Sequence, residues 1–157
     1  MSNSPKDNLE KLGITLPSPV APVANYVPYT NSGTLHSISG QIPLKDGKLP
    51  YLGKVGIDIT QELGIEAARL CAINIIAQIN AITDGNLDRV TRIVKLGVFI
   101  NCDNGFGDQP EIANGASDLM VEVFGEKGKH SRSAVGTNAL PRNVSVEIDA
   151  LVDIADA

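Results

Sequence analysis

Between residues 65 and 102 the hydrophobic period changes from that of a helix to that of a strand, and this change limits what the chain can fold into. Ile65, Ala68, Ala72, Ile75, Ile76, Ile79 and Ile82 recur with the three- and four-residue spacing of one buried helical face. Thr60, with Glu62 close behind, supplies a helix start, and Gly85 after Thr83-Asp84 supplies a stop. From Arg92 to Cys102 the period is two: Val94, Leu96, Val98 and Ile100 fall on one face, Ile93, Lys95, Gly97 and Phe99 on the other. A helix with one apolar face, followed closely by a strand, needs a sheet to lie on, so an α+β layer structure follows.

The other segments fill out that layer. A second helix is predicted from about Pro110 to Phe124, with proline near the first turn, where a missing N–H costs least, and Gly125 and Gly128 at its end. Tyr26 to Thr30 and Leu35 to Ser39 read as a hairpin around Asn31-Ser32-Gly33. Ser131 to Gly136 and Val144 to Ile154 read as two closing strands joined through Leu140-Pro141-Arg142-Asn143. In the last, Val144, Val146, Ile148, Ala150 and Val152 form the apolar face, and Ser145, Glu147, Asp149 and Asp153 point the other way. The predicted order is β-β-α-β-α-β-β. Two helices are too few to cover both faces of such a sheet. Both are therefore expected on one face, with the other left for a partner or a cavity. Residues 1–22, with four prolines, read as a mobile or draped arm, and residues 23–157 as a single domain.

Composition removes several function classes. A chain of 157 residues can bury roughly two thirds of its unfolded surface without staples. Cys71 and Cys102 have no partner spacing, so neither a disulfide framework nor a zinc site is expected, and the protein reads as cytoplasmic. His36 and His130 are the only histidines and make no metal-ligand pattern; neither metal nor cofactor is expected. Gly105-Phe106-Gly107 lacks the third glycine of a dinucleotide loop, and Ser131 and Ser133 lack a nucleophile elbow. Eighteen acidic residues against 13 basic ones, with no basic stripe, argue against nucleic acid. Arg69, Asn74, Gln78 and Asn80 interrupt the longest apolar stretch and argue against a membrane span.

Arg132, in His130-Ser131-Arg132-Ser133, is the leading candidate for chemistry: its planar fork of donors matches a small carboxylate bidentately. The alternative is a surface or interface arginine paired with an acid. Glu147, among apolar neighbours, is the candidate to hold a water or pass a proton; it could equally be an interface carboxylate. Ser39-Gly40 ends a strand where backbone groups can approach a ligand or simply turn. Tyr29 could offer a hydroxyl or pack, and Asn114 could reach a subunit boundary or face solvent.

Tyr26-Val27-Pro28-Tyr29, Ser37-Ile38-Ser39-Gly40-Gln41-Ile42-Pro43, His130-Ser131-Arg132-Ser133-Ala134-Val135-Gly136 and Leu140-Pro141-Arg142-Asn143-Val144-Ser145-Val146-Glu147-Ile148 together resemble the Rid family, also called the YjgF or L-PSP endoribonuclease-like family, over about residues 20 to 157. The resemblance implies the chorismate-mutase-like α+β fold and a homotrimer around a central barrel, with clefts between subunits. It also implies hydrolysis of reactive 2-iminoacids to 2-oxoacids and ammonia. On it, Arg132 matches the arginine that grips the substrate carboxylate and Glu147 the glutamate near the attacking water. Tyr29, Ser39 and Gly40 match cleft-lining positions, with Asn114 contributing from the second helix. Where the archetypal deaminases carry cysteine two positions after the arginine, this chain has Ala134. The expectation is an imine deaminase with Arg132 and Glu147 on adjacent closing strands. The alternatives are a non-catalytic 2-oxoacid-binding module and, against the charge balance, a ribonuclease.

Overall fold

The computed structural model describes residues 3–19, 21 and 24–157. The expected boundary between arm and domain, at residues 22 and 23, lies outside the described residues. The elements are α1 (Pro5–Lys11), β1 (Tyr29–Ser32), β2 (Leu35–Gln41), α2 (Gln61–Ile82), β3 (Val90–Asn101), α3 (Gln109–Phe124), β4 (Ser131–Thr137) and β5 (Val146–Ile154). The five strands form one sheet in the order β1-β2-β5-β3-β4; β3 and β4 run parallel and every other pair antiparallel.

The two long helices start where local chemistry allows it. The Thr60 side chain accepts from Leu63 N–H, and Pro110 stands in the first turn of α3. Although α2 has the length and apolar content to cross a bilayer, Ala67, Ala68, Cys71, Ala72, Ile75, Ile76 and Ile79 are buried inside the domain. They join Val146, Ile148, Ala150, Val152 and Ile154 of β5 in one core, with α2 lying over β5 and β2 and α3 over β3 and β4. Both helices contribute to this one core, and among the described residues no helix covers the opposite sheet face, where Leu35, Phe99 and Val135 are exposed.

Three expectations change. The strand predicted from Arg92 starts at Val90, and a register shift between Ile93 and Lys95 puts Ile93 in the core and leaves Val94 only half-buried. The extra residue of a bulge reverses the alternation locally. The first strand is Tyr29–Ser32, three residues later than expected, and turns through Gly33-Thr34. Within the arm, Pro5–Lys11 forms a helix closed by a Ser4–Asp7 capping box. Its Leu9 is buried, and Asn8 Nδ2 donates to the Val123 carbonyl at 2.9 Å.

Candidate active site

Arg132 lies on β4, an edge strand, opposite Leu96 of β3, and shares the helix-facing side of the sheet with it. This brings its guanidinium under the first half of α3. Nη1 donates to Asn114 Oδ1 at 2.9 Å and to Ser117 Oγ at 3.0 Å, and Nη2 to the Pro110 carbonyl at 3.2 Å. Residues 110, 114 and 117 line one face of a helix, so α3 holds the fork from a single direction. Asn114 Nδ2 points to Glu111 Oε2, which leaves its carbonyl oxygen for the arginine. Of the five guanidinium donors, Nε–H and one Nη2 proton have no partner among the described residues. A half-buried, pre-oriented pair of charged donors of this kind suits a carboxylate.

Glu147 lies on β5 and faces the uncovered side, opposite Phe99. It packs over Gly40 of β2, where a Cβ would collide with the Glu147 carboxylate. Neither carboxylate oxygen has a hydrogen-bond partner among the described residues. Burial first, and the Asp149 carboxylate second, push its pKa above the usual carboxylate range. A carboxyl poised in this way can exchange a proton nearer neutral pH. Glu147, Ser39 and Gly40 border a cavity of about 580 Å³. Ile42, Leu44, Asp46 and Gly47 of the loop after β2 border the cavity too, and Pro17, Ser18 and Pro19 of the arm close another wall. Arg142, held at φ 57° in the left-handed region, stands at the rim.

Of the remaining candidates, Ser39 stays at the cavity and Tyr29 does not. Ser39 is tied to the preceding segment: its Oγ donates to the Val27 carbonyl at 2.8 Å and its N–H to that of Pro28 at 2.9 Å. Tyr29 packs on the helix-facing side against the core, its ring 6.4 Å from that of His36, outside the cavity; Tyr26 lines the cavity instead. Sequence reasoning had passed over Tyr26 as a site residue, and also Ser117, which meets Arg132 only because α3 lies across β4.

One expectation about the pair is corrected. Arg132 and Glu147 are not on adjacent strands: β3 lies between β4 and β5, and the two side chains leave opposite faces of the sheet. The crossover through α3 makes β3 and β4 parallel neighbours, and β5 then takes the remaining edge of β3. Within one chain, the Arg132 guanidinium and the Glu147 carboxyl group cannot touch the same small molecule.

Residues 6–153 match the family described as "YjgF/chorismate mutase-like, putative endoribonuclease". The chain is 47% identical over 148 residues to protein TCP17 of Trypanosoma cruzi, covering 94% of this chain and 92% of that one. It is 31% identical over 110 residues to a 2-iminobutanoate/2-iminopropanoate deaminase of Dermatophagoides farinae, covering 69% of this chain and 80% of the deaminase. A crystal structure of a protein of unknown function from Agrobacterium tumefaciens superimposes with a TM-score of 0.90 at 45% identity, covering 96% of this chain and 92% of that one.

Proposed function

The chain belongs to the YjgF/chorismate mutase-like family, and from that premise we propose that it hydrolyses reactive 2-iminoacids to 2-oxoacids and ammonia in clefts between the subunits of a homotrimer. The observation that carries the reading is the free edge of the Arg132 fork. Three of its donors are spent on Asn114, Ser117 and Pro110, and the remaining two are left for a carboxylate. Glu147 supports it as the second requirement, a carboxyl whose raised pKa suits proton transfer.

In this mechanism the substrate carboxylate lies on Arg132 of one subunit and its imine carbon faces Glu147 of the next. Holding the carbon beside a water converts a bimolecular attack into a local one. Water oxygen bonds to the imine carbon, the π pair moves to nitrogen, and the proton released by the water passes to Glu147. Glu147 returns that proton to nitrogen, giving the carbinolamine; it then takes the hydroxyl proton as the carbonyl forms and passes it to the nitrogen as the C–N bond breaks, so that ammonia departs. The sum is one iminoacid and one water giving one oxoacid and one ammonia, with Glu147 regenerated.

The purified protein, added to a dehydratase that generates 2-iminobutyrate, should accelerate formation of 2-oxobutyrate, and Arg132→Ala should abolish the acceleration. No acceleration by the wild type, or full activity in the variant, overturns the proposal. A second reading, a non-catalytic oxoacid-binding module, is favoured by Ala134, which stands beside Arg132 where archetypal deaminases carry cysteine. Calorimetric binding of 2-oxobutyrate without turnover would select it.

A further inference from the structure

We propose that His130, acting through Ser117, is a positioning residue that fixes the Arg132 guanidinium for its carboxylate ligand; this rests on Arg132 as the carboxylate grip. His130 Nδ1 lies 2.6 Å from the Gly128 carbonyl oxygen. A carbonyl only accepts, so Nδ1 carries the ring proton and, in the neutral ring, Nε2 is an acceptor. Nε2 lies 2.8 Å from Ser117 Oγ, so the Ser117 hydroxyl donates to it. That direction leaves the lone pairs of Oγ for Arg132 Nη1 at 3.0 Å. The hydrogen bonds run one way, from Arg132 to Ser117 to His130 to Gly128, and each polarises the next.

The last acceptor is itself fixed. Gly128 is buried against the end of α3, where a Cβ would collide with the Met120 carbonyl. The relay therefore starts on β4, crosses to α3 at Ser117 and ends in the turn of residues 125–128 that follows α3. Remove the imidazole and the Ser117 hydroxyl is free to donate to a carbonyl of the preceding helical turn, as helical serines do. Its lone pairs then turn away from Arg132, and Nη1 loses one of its two anchors. Ser117 and His130 also have the spacing of a nucleophile and its base. Here, however, Oγ accepts from a cation, which draws density from the oxygen, and this favours orientation over attack.

The test compares wild type, His130→Ala and His130→Gln, the last of which keeps an acceptor near the place of Nε2. His130→Ala should raise KM for 2-iminobutyrate and the Kd for 2-oxobutyrate about tenfold, with kcat changed less than about threefold, and His130→Gln should recover most of the loss. A readout that needs no ligand accompanies these: the rate at which phenylglyoxal modifies Arg132, followed by peptide mass, should rise several-fold in the alanine variant and stay near wild type in the glutamine variant. The His130 ring nitrogens should show the Nδ1-protonated tautomer by ¹⁵N NMR. Wild-type behaviour of His130→Ala, or equal losses in both variants, overturns the proposal. A wild type that neither turns over nor binds overturns the deaminase reading, and the arginine modification rates then decide the positioning role alone.

Discussion

Gly115→Ala should destabilise the protein, although helix propensity argues the opposite. In an exposed helix interior the same change stabilises by about 1 kcal/mol. Gly115, however, faces α2, and a Cβ built there collides with the Ile65 carbonyl oxygen. The obstacle is backbone, so no rotamer change relieves it, and α2 and α3 must part. Parting them loosens the contacts of Ile112, Ala113, Ala116 and Leu119, all fully buried in the shared core. Overpacking of this kind costs about 1–3 kcal/mol, and a rigid obstacle belongs at the upper end. Against the propensity gain the net is about 2 kcal/mol, or roughly 4–8 °C in Tm for a domain of this size. Two other glycines calibrate it. At Gly64 the new methyl meets the flexible Ile112 Cδ1, and at Gly105 it meets nothing within 4 Å. Thermal unfolding at one fixed protein concentration should order the variants Gly115→Ala, Gly64→Ala, Gly105→Ala from least to most stable. A Gly115→Ala midpoint at or above wild type would refute the packing argument.

Two predictions concern the Glu147 side. Gly40→Ala places a methyl where the Glu147 carboxylate lies; the side chain can swing aside, so stability should change by less than about 1 kcal/mol. Activity in the coupled assay should nevertheless fall about tenfold, and unchanged kcat/KM would refute the placement of that carboxylate. Glu147→Gln should alter the pH dependence of stability with a definite sign. Because burial and Asp149 raise the Glu147 pKa, the folded state keeps its proton at pH values where the unfolded chain has lost it. Wild-type stability therefore falls as pH rises from the usual carboxylate range to the raised value, and then the effect is constant. The stability of Glu147→Gln minus that of wild type should grow across this window in urea titrations; a flat or falling difference contradicts the shift.

Features carried by local chemistry were legible in the sequence, and features decided by strand partners were not. Thr60 and Pro110 announced the two long helices because a cap and a helix-start proline act within one turn. The alternation of β5 was readable for the same reason. Ile93 was assigned to the wrong face because the bulge beside it is a mismatch with Val152 and Leu151 on another strand. The helix in the arm had a local signal, Ser4 and Asp7 around Pro5, but proline content outweighed it. Arg132 was singled out by the order of the motifs around it, since its own donor geometry left a surface or interface arginine open, whereas Ser117 and His130, thirteen residues apart, meet only after α3 has folded across β4. The order of strands was not legible: a helix joining β3 to β4 makes them parallel but leaves β4 a second edge, and the choice of β5 for β3 rather than β4 is made by packing between distant segments.

That strand order makes the intersubunit cleft testable by complementation. Arg132 and Glu147 leave opposite faces of one sheet, so on the proposed mechanism each cleft draws them from different chains. Arg132→Ala and Glu147→Gln homo-oligomers should both be inactive. When the two are co-expressed with different tags and hybrids are isolated through both, a trimer holds two chains of one kind and one of the other. Going round such a ring, one boundary in three joins an intact Arg132 to an intact Glu147, so hybrids should regain about a third of wild-type turnover per trimer. If both residues served a cleft within their own chain, no hybrid would contain a complete site, and activity would stay at the level of the parents. Inactive hybrids with wild-type oligomeric mass would therefore refute the shared cleft, while recovery near a third would require the two faces of the sheet to meet across a subunit boundary.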